Sequence, residues 1–193
     1  MFTMSTSYIE DKVFEKINYT VTPLPRAEYD NCTFKNCDFT QSNLSQIAFT
    51  ECVFDTCNIS LALLGQTAFK AIKFKNCKML GLHFEHCSDF LFEVGFEKCQ
   101  LNMSVFYQRK MQKTIFDQCT LTEVDFTETN LSQAVFTNCD LTGAMFDRTN
   151  LEKADLATAF GYTLDPEKNK IKKAKFSVQG AMGLLAKYDI RVV

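Results

Sequence analysis

Large apolar side chains recur at every fifth position along most of this chain. From Tyr29 they read Tyr29, Phe34, Phe39, Leu44, Phe49, Phe54, Ile59, Leu64, Phe69, Phe74, Met79 and Phe84. After a phase shift of two residues they resume as Phe96, Leu101, Phe106, Met111, Phe116, Leu121, Phe126, Leu131, Phe136, Leu141, Phe146 and Leu151. Two residues before most of them stands a small side chain, as in Cys32, Ser42, Ala62, Thr67, Ser104, Thr114, Thr129, Ala134 and Ala144. Between residues 96 and 155 a unit of twenty residues is written three times, opening at Phe96, Phe116 and Phe136, each followed three positions later by Cys99, Cys119 or Cys139.

A period of five fits neither common element. An α-helix returns to the same face after 3.6 residues and a strand after 2, so a bulky residue at every fifth position would wander around the one and alternate across the other. A coil with corners accommodates the pattern. If each pentapeptide forms one side of a square and points both its bulky and its small residue inward, four pentapeptides close a turn, which is the twenty-residue unit. Successive turns then stack at the roughly 4.8 Å spacing of hydrogen-bonded strands, and each buries its apolar side only against its neighbours. The predicted fold class is an all-β solenoid.

Ala134-Val135-Phe136-Thr137-Asn138, Cys139-Asp140-Leu141-Thr142-Gly143 and Ala144-Met145-Phe146-Asp147-Arg148 carry a family likeness. Each runs small residue, any residue, Leu or Phe, then two further residues, and so resembles the pentapeptide-repeat family. The resemblance implies a right-handed quadrilateral β-helix with four repeats per coil.

Three segments are expected. Residues 1–28 keep the beat loosely through Ile9, Phe14, Tyr19 and Leu24, with Pro23 and Pro25 interrupting strand hydrogen bonding; they read as an N-terminal cap and irregular first coil. Residues 29–161 form the β-helix proper. The beat due at 89 meets Asp89 and resumes at Leu91 and Phe96, so two extra residues are expected to bulge from a corner near 87–90. In residues 162–193, Ile171, Ala174 and Phe176 suggest one more partial turn; Ser177 reads as an N-cap, and Val178, Ala181, Met182, Leu184, Leu185 and Tyr188 recur at helical spacing. One stripe of that short C-terminal α-helix would seal the open end of the coil, and the apolar residues left over imply a partner.

Chemistry is sparse. The nine cysteines would suggest metal or disulfide, yet Cys32, Cys37, Cys52, Cys57, Cys77, Cys99, Cys119 and Cys139 all fall two before a bulky residue, and Cys87 does so on the upstream register. Those are small inward positions, where a free thiol acts as a compact hydrophobe. Cys37, Cys57, Cys77, Cys99, Cys119 and Cys139 should form one column. His83 and His86 flank Phe84 at outward positions whereas Cys87 points in, so that trio does not converge into the four-ligand zinc site it first suggests. With 7 Gly there is no phosphate-cradling loop, and no catalytic residues, cofactor or metal are expected. The start of the chain lacks a basic stretch followed by an apolar run, and no segment approaches the roughly 18 to 20 apolar residues of a membrane-spanning helix. The expectation is a cytoplasmic protein that is not an enzyme, with no membrane, no small-molecule substrate and no direct nucleic-acid contact.

Charge is uneven although the net charge is −2. Residues 69–115 carry eight basic side chains, Arg109 and Lys110 among them, against four acidic ones, a net of +4. Residues 116–155 carry Asp117, Glu123, Asp125, Glu128, Asp140, Asp147, Glu152 and Asp155 against Arg148 and Lys153, a net of −6.

The tail extends the likeness. Leu164-Asp165-Pro166, then Phe176 to Leu185 and Tyr188-Asp189-Ile190-Arg191-Val192, resemble the C-terminal module of the Qnr-type quinolone-resistance proteins, with Asp189 in the place of a glycine after the helix. That resemblance implies a tail-to-tail homodimer through Val178, Ala181, Met182, Leu184, Leu185, Tyr188, Ile190 and Val192. It further implies a rod that imitates duplex DNA and binds DNA gyrase or topoisomerase IV, with the eight carboxylates of 116–155 as the candidate contact surface. The alternative expectation is a pentapeptide-repeat scaffold for another protein partner.

Overall fold

The computed structural model describes residues 7–188, 190 and 191, and it is a parallel β-solenoid of about eight turns closed by a short helix. One side of the coil is a nine-stranded parallel sheet running Val13–Glu15, Thr33–Lys35, Val53–Asp55, Ile72–Lys75, Val94–Glu97, Ile115–Asp117, Val135–Thr137, Asp155–Leu156 and Lys175–Phe176. A second side begins as a four-stranded parallel sheet of Ser7–Glu10, Ala27–Asp30, Ala48–Thr50 and Ala68–Lys70. The other sides are joined by single parallel bridges, such as Asp38 to Asn58 to Lys78 to Gln100, and Val105 to Asp125 to Met145. Phe34 pairs with Phe54 and Phe54 with Phe74, so one turn is twenty residues, as the beat requires.

The five-residue period follows from the corners. Nearly every residue two places after a bulky one has positive φ, among them Asn31, Gln41, Glu51, Gln118, Glu123 and Lys153, with φ between 52° and 60° except 48° at Asn31. Side chains other than Gly reach this region at a cost of roughly 1–2 kcal/mol per residue. The corner amides offset it by bonding to the next turn, as Gln118 N–H does to the Thr137 carbonyl at 2.8 Å. Each short side therefore holds one inward pair and one sharp bend, and the chain cannot drift into a continuous strand.

The core holds several columns of stacked rings, of which two run longest in the middle and last coils. Phe34, Phe54, Phe74, Phe96, Phe116 and Phe136 form one, with centroids 4.8 Å apart and planes 3° from parallel at Phe116 and Phe136. Phe84, Phe106, Phe126 and Phe146 form another. Rings of the two columns meet edge to face, as Phe116 and Phe126 do at 6.0 Å and 79°, the arrangement that the ring quadrupole favours.

The small inward residues satisfy themselves locally. The Thr129 hydroxyl donates to the Phe106 carbonyl at 2.7 Å and that of Thr149 to Phe126 at 2.8 Å. The column from Cys37 to Cys139 is present. All nine cysteines are free and buried, and thiols donate to carbonyls of the turn before, as Cys57 does to Phe34 and Cys139 to Phe116. Burial pushes the Cys52 and Cys87 thiols up to about 12, so they stay protonated and unreactive at neutral pH.

The insertion departs from expectation at one residue. Leu91 does not resume the beat: it is 52% exposed and takes the positive-φ corner, φ 53°. Phe92 packs inward instead, against Phe69 and Phe84, and register is recovered where Ile72 pairs with Val94. Arg109, counted in the sequence only as one of eight basic side chains, is turned inward. It occupies a small inward position and is 4% exposed. Its guanidinium donates to the carbonyls of Cys87 and Ser88 at 3.0 and 2.9 Å, lies 4.4 Å from the Phe92 ring centre and pairs with Asp89.

Candidate protein-binding surfaces

The eight carboxylates lie on the outside of the last coils, and they are distributed around the coil instead of gathering on one side. Asp117 continues the nine-stranded sheet, stacked on Glu97. Asp125 lies on the side bridged from Val105 to Met145, and Asp140 on the side bridged from Thr120 to Phe160. Glu123 stands at a corner with φ 56°. Glu128 and Asp147 are brought together by Arg148, which reaches Glu128 at 2.7 Å and Asp147 at 2.8 Å. Hydrogen bonds from Gln108 and then Arg148 hold the Glu128 carboxyl below its usual range.

Lys175 bonds Asp155 at 2.9 Å and lowers its pKa, with the Ala157 amide adding to the effect. Asp125 and Asp140 accept the backbone amides of Thr127 and Thr142, so each braces its own turn. Glu152 borders a small groove with Lys153, Lys172 and Lys173. Among the described residues, Asp117, Glu123 and Glu152 carry neither an ion pair nor a side-chain hydrogen bond.

The second surface is the C-terminal module. Residues 170–176 complete another turn, with Asn150 bridged to Lys170 and Leu156 paired with Phe176. Asn169 takes a small inward place and bonds Phe146 and Asp165 carbonyls through its amide. Helix α1, Val178–Leu185, starts where Ser177 accepts the Gly180 amide at 2.9 Å, and a 3-10 turn, Ala186–Tyr188, continues it.

The helix lies close on the coil end because Gly180 and Gly183 carry no side chain. A Cβ on Gly183 would fall onto the Tyr162 carbonyl oxygen, and one on Gly180 onto the Tyr162 hydroxyl. Leu184 packs on the core beside buried Tyr162 and Leu164, and Ala181 is half-buried. Lys187 pins the turn to the coil through Asp165 at 2.7 Å and Glu167 at 2.8 Å, and these contacts depress both carboxyl pKa values. Val178, Met182, Leu185, Tyr188 and Ile190 remain exposed, Val178 at 83%. Asp189 and Val192 lie outside the described residues.

Two side chains with evident roles escaped the sequence reading. Arg109 was legible only as a charge, although its place two before Met111 marks it as inward. Glu85 sits between His83 and His86 with its side chain 19% exposed. The available signal was its position beside two histidines.

Among the described residues, no helix is long and apolar enough to cross a membrane. The sequence matches the model of the pentapeptide repeat region over residues 27–90 and 89–159. None of the curated proteins matches it. Among solved structures it is similar to a trypsin-treated variant of QnrB1, a plasmid-mediated fluoroquinolone resistance protein, at 17% identity and TM-score 0.63, covering 94% of this chain and 98% of that one. It is also similar to HetL, a pentapeptide repeat protein involved in heterocyst differentiation regulation from the cyanobacterium Nostoc sp. strain PCC 7120, at 14% identity and TM-score 0.51, covering 88% and 86%. These likenesses are of fold.

Proposed function

The chain belongs to the pentapeptide-repeat family, and on that premise we propose that it is a non-enzymatic binding rod of the cytoplasm. Two copies join through their C-terminal modules, and the acidic coils of 116–155, doubled about the junction, occupy the DNA-binding surface of a bacterial type II topoisomerase. The observation that carries this reading is adjacency. The exposed row of Val178, Met182 and Leu185 follows directly on the strand Lys175–Phe176, which pairs with Asp155–Leu156 at the end of the acidic coils. An apolar row left open to water favours association, and a second copy placed there brings two acidic blocks side by side. The likeness of fold to a fluoroquinolone resistance protein supports the choice of partner.

A scaffold for a different protein partner is the second reading. It is favoured by the pairing of Arg148 with Glu128 and Asp147 and of Lys175 with Asp155, which neutralises part of the block.

A supercoiling assay separates the two. The native protein is expected to inhibit gyrase on relaxed plasmid and to shield it from a quinolone, and the triple variant Asp117→Lys, Glu123→Lys, Glu152→Lys to lose both effects while melting as the native protein does. No inhibition, or equal inhibition by the variant, would overturn the topoisomerase reading in favour of the scaffold.

A further inference from the structure

The turn at Phe84–His86 breaks the corner rule. At most corners the residue two places after a bulky one has positive φ; here Phe84–His86 form a 3-10 turn, with the Cys87 amide bonded to the Phe84 carbonyl at 3.0 Å. In a 3-10 turn there are three residues per turn, so side chains at i and i+3 eclipse. His83 and His86 have that spacing, and their rings stack, with centroids 5.5 Å apart and planes 16° from parallel. A positive-φ corner would have sent His86 elsewhere.

Glu85 projects into the same place. Its Oε1 is 2.7 Å from His83 Nδ1 and 3.9 Å from His86 Nε2. The ligand atoms of all three residues lie within 4.8 Å of one another. The other carboxylate oxygen, Oε2, is buried and has no hydrogen-bond partner among the described residues. A buried carboxylate oxygen left without a donor is costly, and the two histidines are both more than half exposed, 57% and 63%, so they can turn toward a common point without repacking the core.

We propose that His83, Glu85 and His86 form a binding site for one divalent transition-metal ion of the zinc class. Two imidazole nitrogens and a carboxylate oxygen suit such an ion, and a three-residue set leaves a fourth position for water or an incoming ligand. The ion supplies a positive charge to a carboxylate whose Oε2 has no donor among the described residues. The histidines border an open groove of about 360 Å³ lined by Ser45, Leu61, Leu63, Gly65 and Gly81, so the fourth position is reachable from solvent. The site lies in the coil that runs into the insertion at 88–91. A bound ion cross-links the two ends of the turn and holds that coil against the looser corner after it.

The thiols are separate chemistry. All nine are buried, and Cys87, the nearest in sequence, donates no ligand here because it points into the coil. A probe that distinguishes sulfur from nitrogen and oxygen donors is therefore the right one.

The experiment is titration of the full-length, reduced protein with Co²⁺ at neutral pH, followed by visible absorption, with Zn²⁺ used to displace the cobalt. The expected result is a single equivalent bound with d–d bands and no thiolate-to-metal charge transfer. Binding should weaken by about tenfold or more in His86→Gln, since even outer-shell changes cost that much, and also in Glu85→Gln, which keeps the shape of the side chain. Zn²⁺ should raise the melting temperature of the native protein and leave that of the His83→Gln/His86→Gln variant unmoved. Absence of bands in excess cobalt, a charge-transfer band from sulfur, or identical titrations of native and variant proteins would each overturn the site.

Discussion

Phe74 stacks on Phe96 with ring centroids 5.5 Å apart and planes 11° from parallel, although two more residues separate them than separate Phe54 from Phe74. The ladder closes over the insertion without disturbing the ring column, because the extra length is spent at one corner and Arg109 bonds the displaced carbonyls from inside.

Removing Arg109 should therefore damage the coil far more than its single charge suggests. Arg109→Ala leaves the carbonyls of Cys87 and Ser88 without their donor and strips the Phe92 face, at an expected cost of about 2–4 kcal/mol. Its pairing with Asp89 contributes little, since the Asp89 side chain is 87% exposed. Chemical denaturation reads the loss, and amide exchange should quicken first at Ser88 to Phe92. A variant as stable as the native protein would show that the bulge needs no internal brace.

Core register has its own test. Phe126 is fully buried between Phe106 and Phe146, so Phe126→Ala should cost about 3–5 kcal/mol. Lys110, exposed on the turn before and bridged to Asn130, should tolerate Ala within about 0.5 kcal/mol. Equal shifts in the two melts would place the beat on the wrong face.

Much of this was legible in the sequence because every inward position meets the same surroundings. A residue such as Phe116 needs no knowledge of distant parts of the chain to be placed, and the same holds for the cysteine column. What could not be read depended on a single turn. Phe92 displaces Leu91 only because of where the extra residues fall, and although the beat puts Arg109 inward, the carbonyls of Cys87 and Ser88 that its guanidinium meets are set by the insertion. The convergence of His83, Glu85 and His86 rests on a 3-10 turn that no five-residue beat announces. Likewise Arg148 counts as one charge in the sequence, whereas in the structure it holds Glu128 and Asp147 together.

That pairing decides which carboxylates to reverse. Lysine at 128 or 147 would face Arg148 and disturb the turn, while Asp117, Glu123 and Glu152 have no such ties among the described residues.

Close approach of α1 to the coil end rests on glycine. Gly183→Ala sets a methyl group against the Tyr162 carbonyl and should loosen the bond from the Leu164 amide to the Gly183 carbonyl, 3.3 Å in the structure. Faster exchange at Leu164 with an unchanged core is the expected outcome. Unaltered exchange would mean that the helix adjusts freely.

Acid should release the same cap. Lys187 holds the Asp165 and Glu167 carboxyls below their usual values, so their contribution is complete above the unfolded values of about 4 and is lost as pH falls through the folded ones. Protease nicking near Lys187 should rise below about pH 4 while the solenoid persists, and Lys187→Gln should bring both carboxyl titrations, followed by NMR, back up. A titration unaffected by that substitution would contradict the ion pairs.

Association is expected to depend on the exposed row of α1. Met182→Asp together with Leu185→Asp should turn a dimer into a monomer in sedimentation at micromolar concentration with no change in the melt of the coil. A native protein that sediments as a monomer would remove the doubled acidic surface from the account.

The most direct measurement of the central claim is competition. A labelled linear duplex bound to a bacterial type II topoisomerase is titrated with the purified protein at several salt concentrations. Full displacement of the duplex is expected, with an apparent affinity that falls steeply as salt rises, because the contacts are between charges at a surface, and loss of displacement in Asp117→Lys, Glu123→Lys, Glu152→Lys. Duplex that stays bound at every salt concentration, or displacement indifferent to those three substitutions, would contradict it.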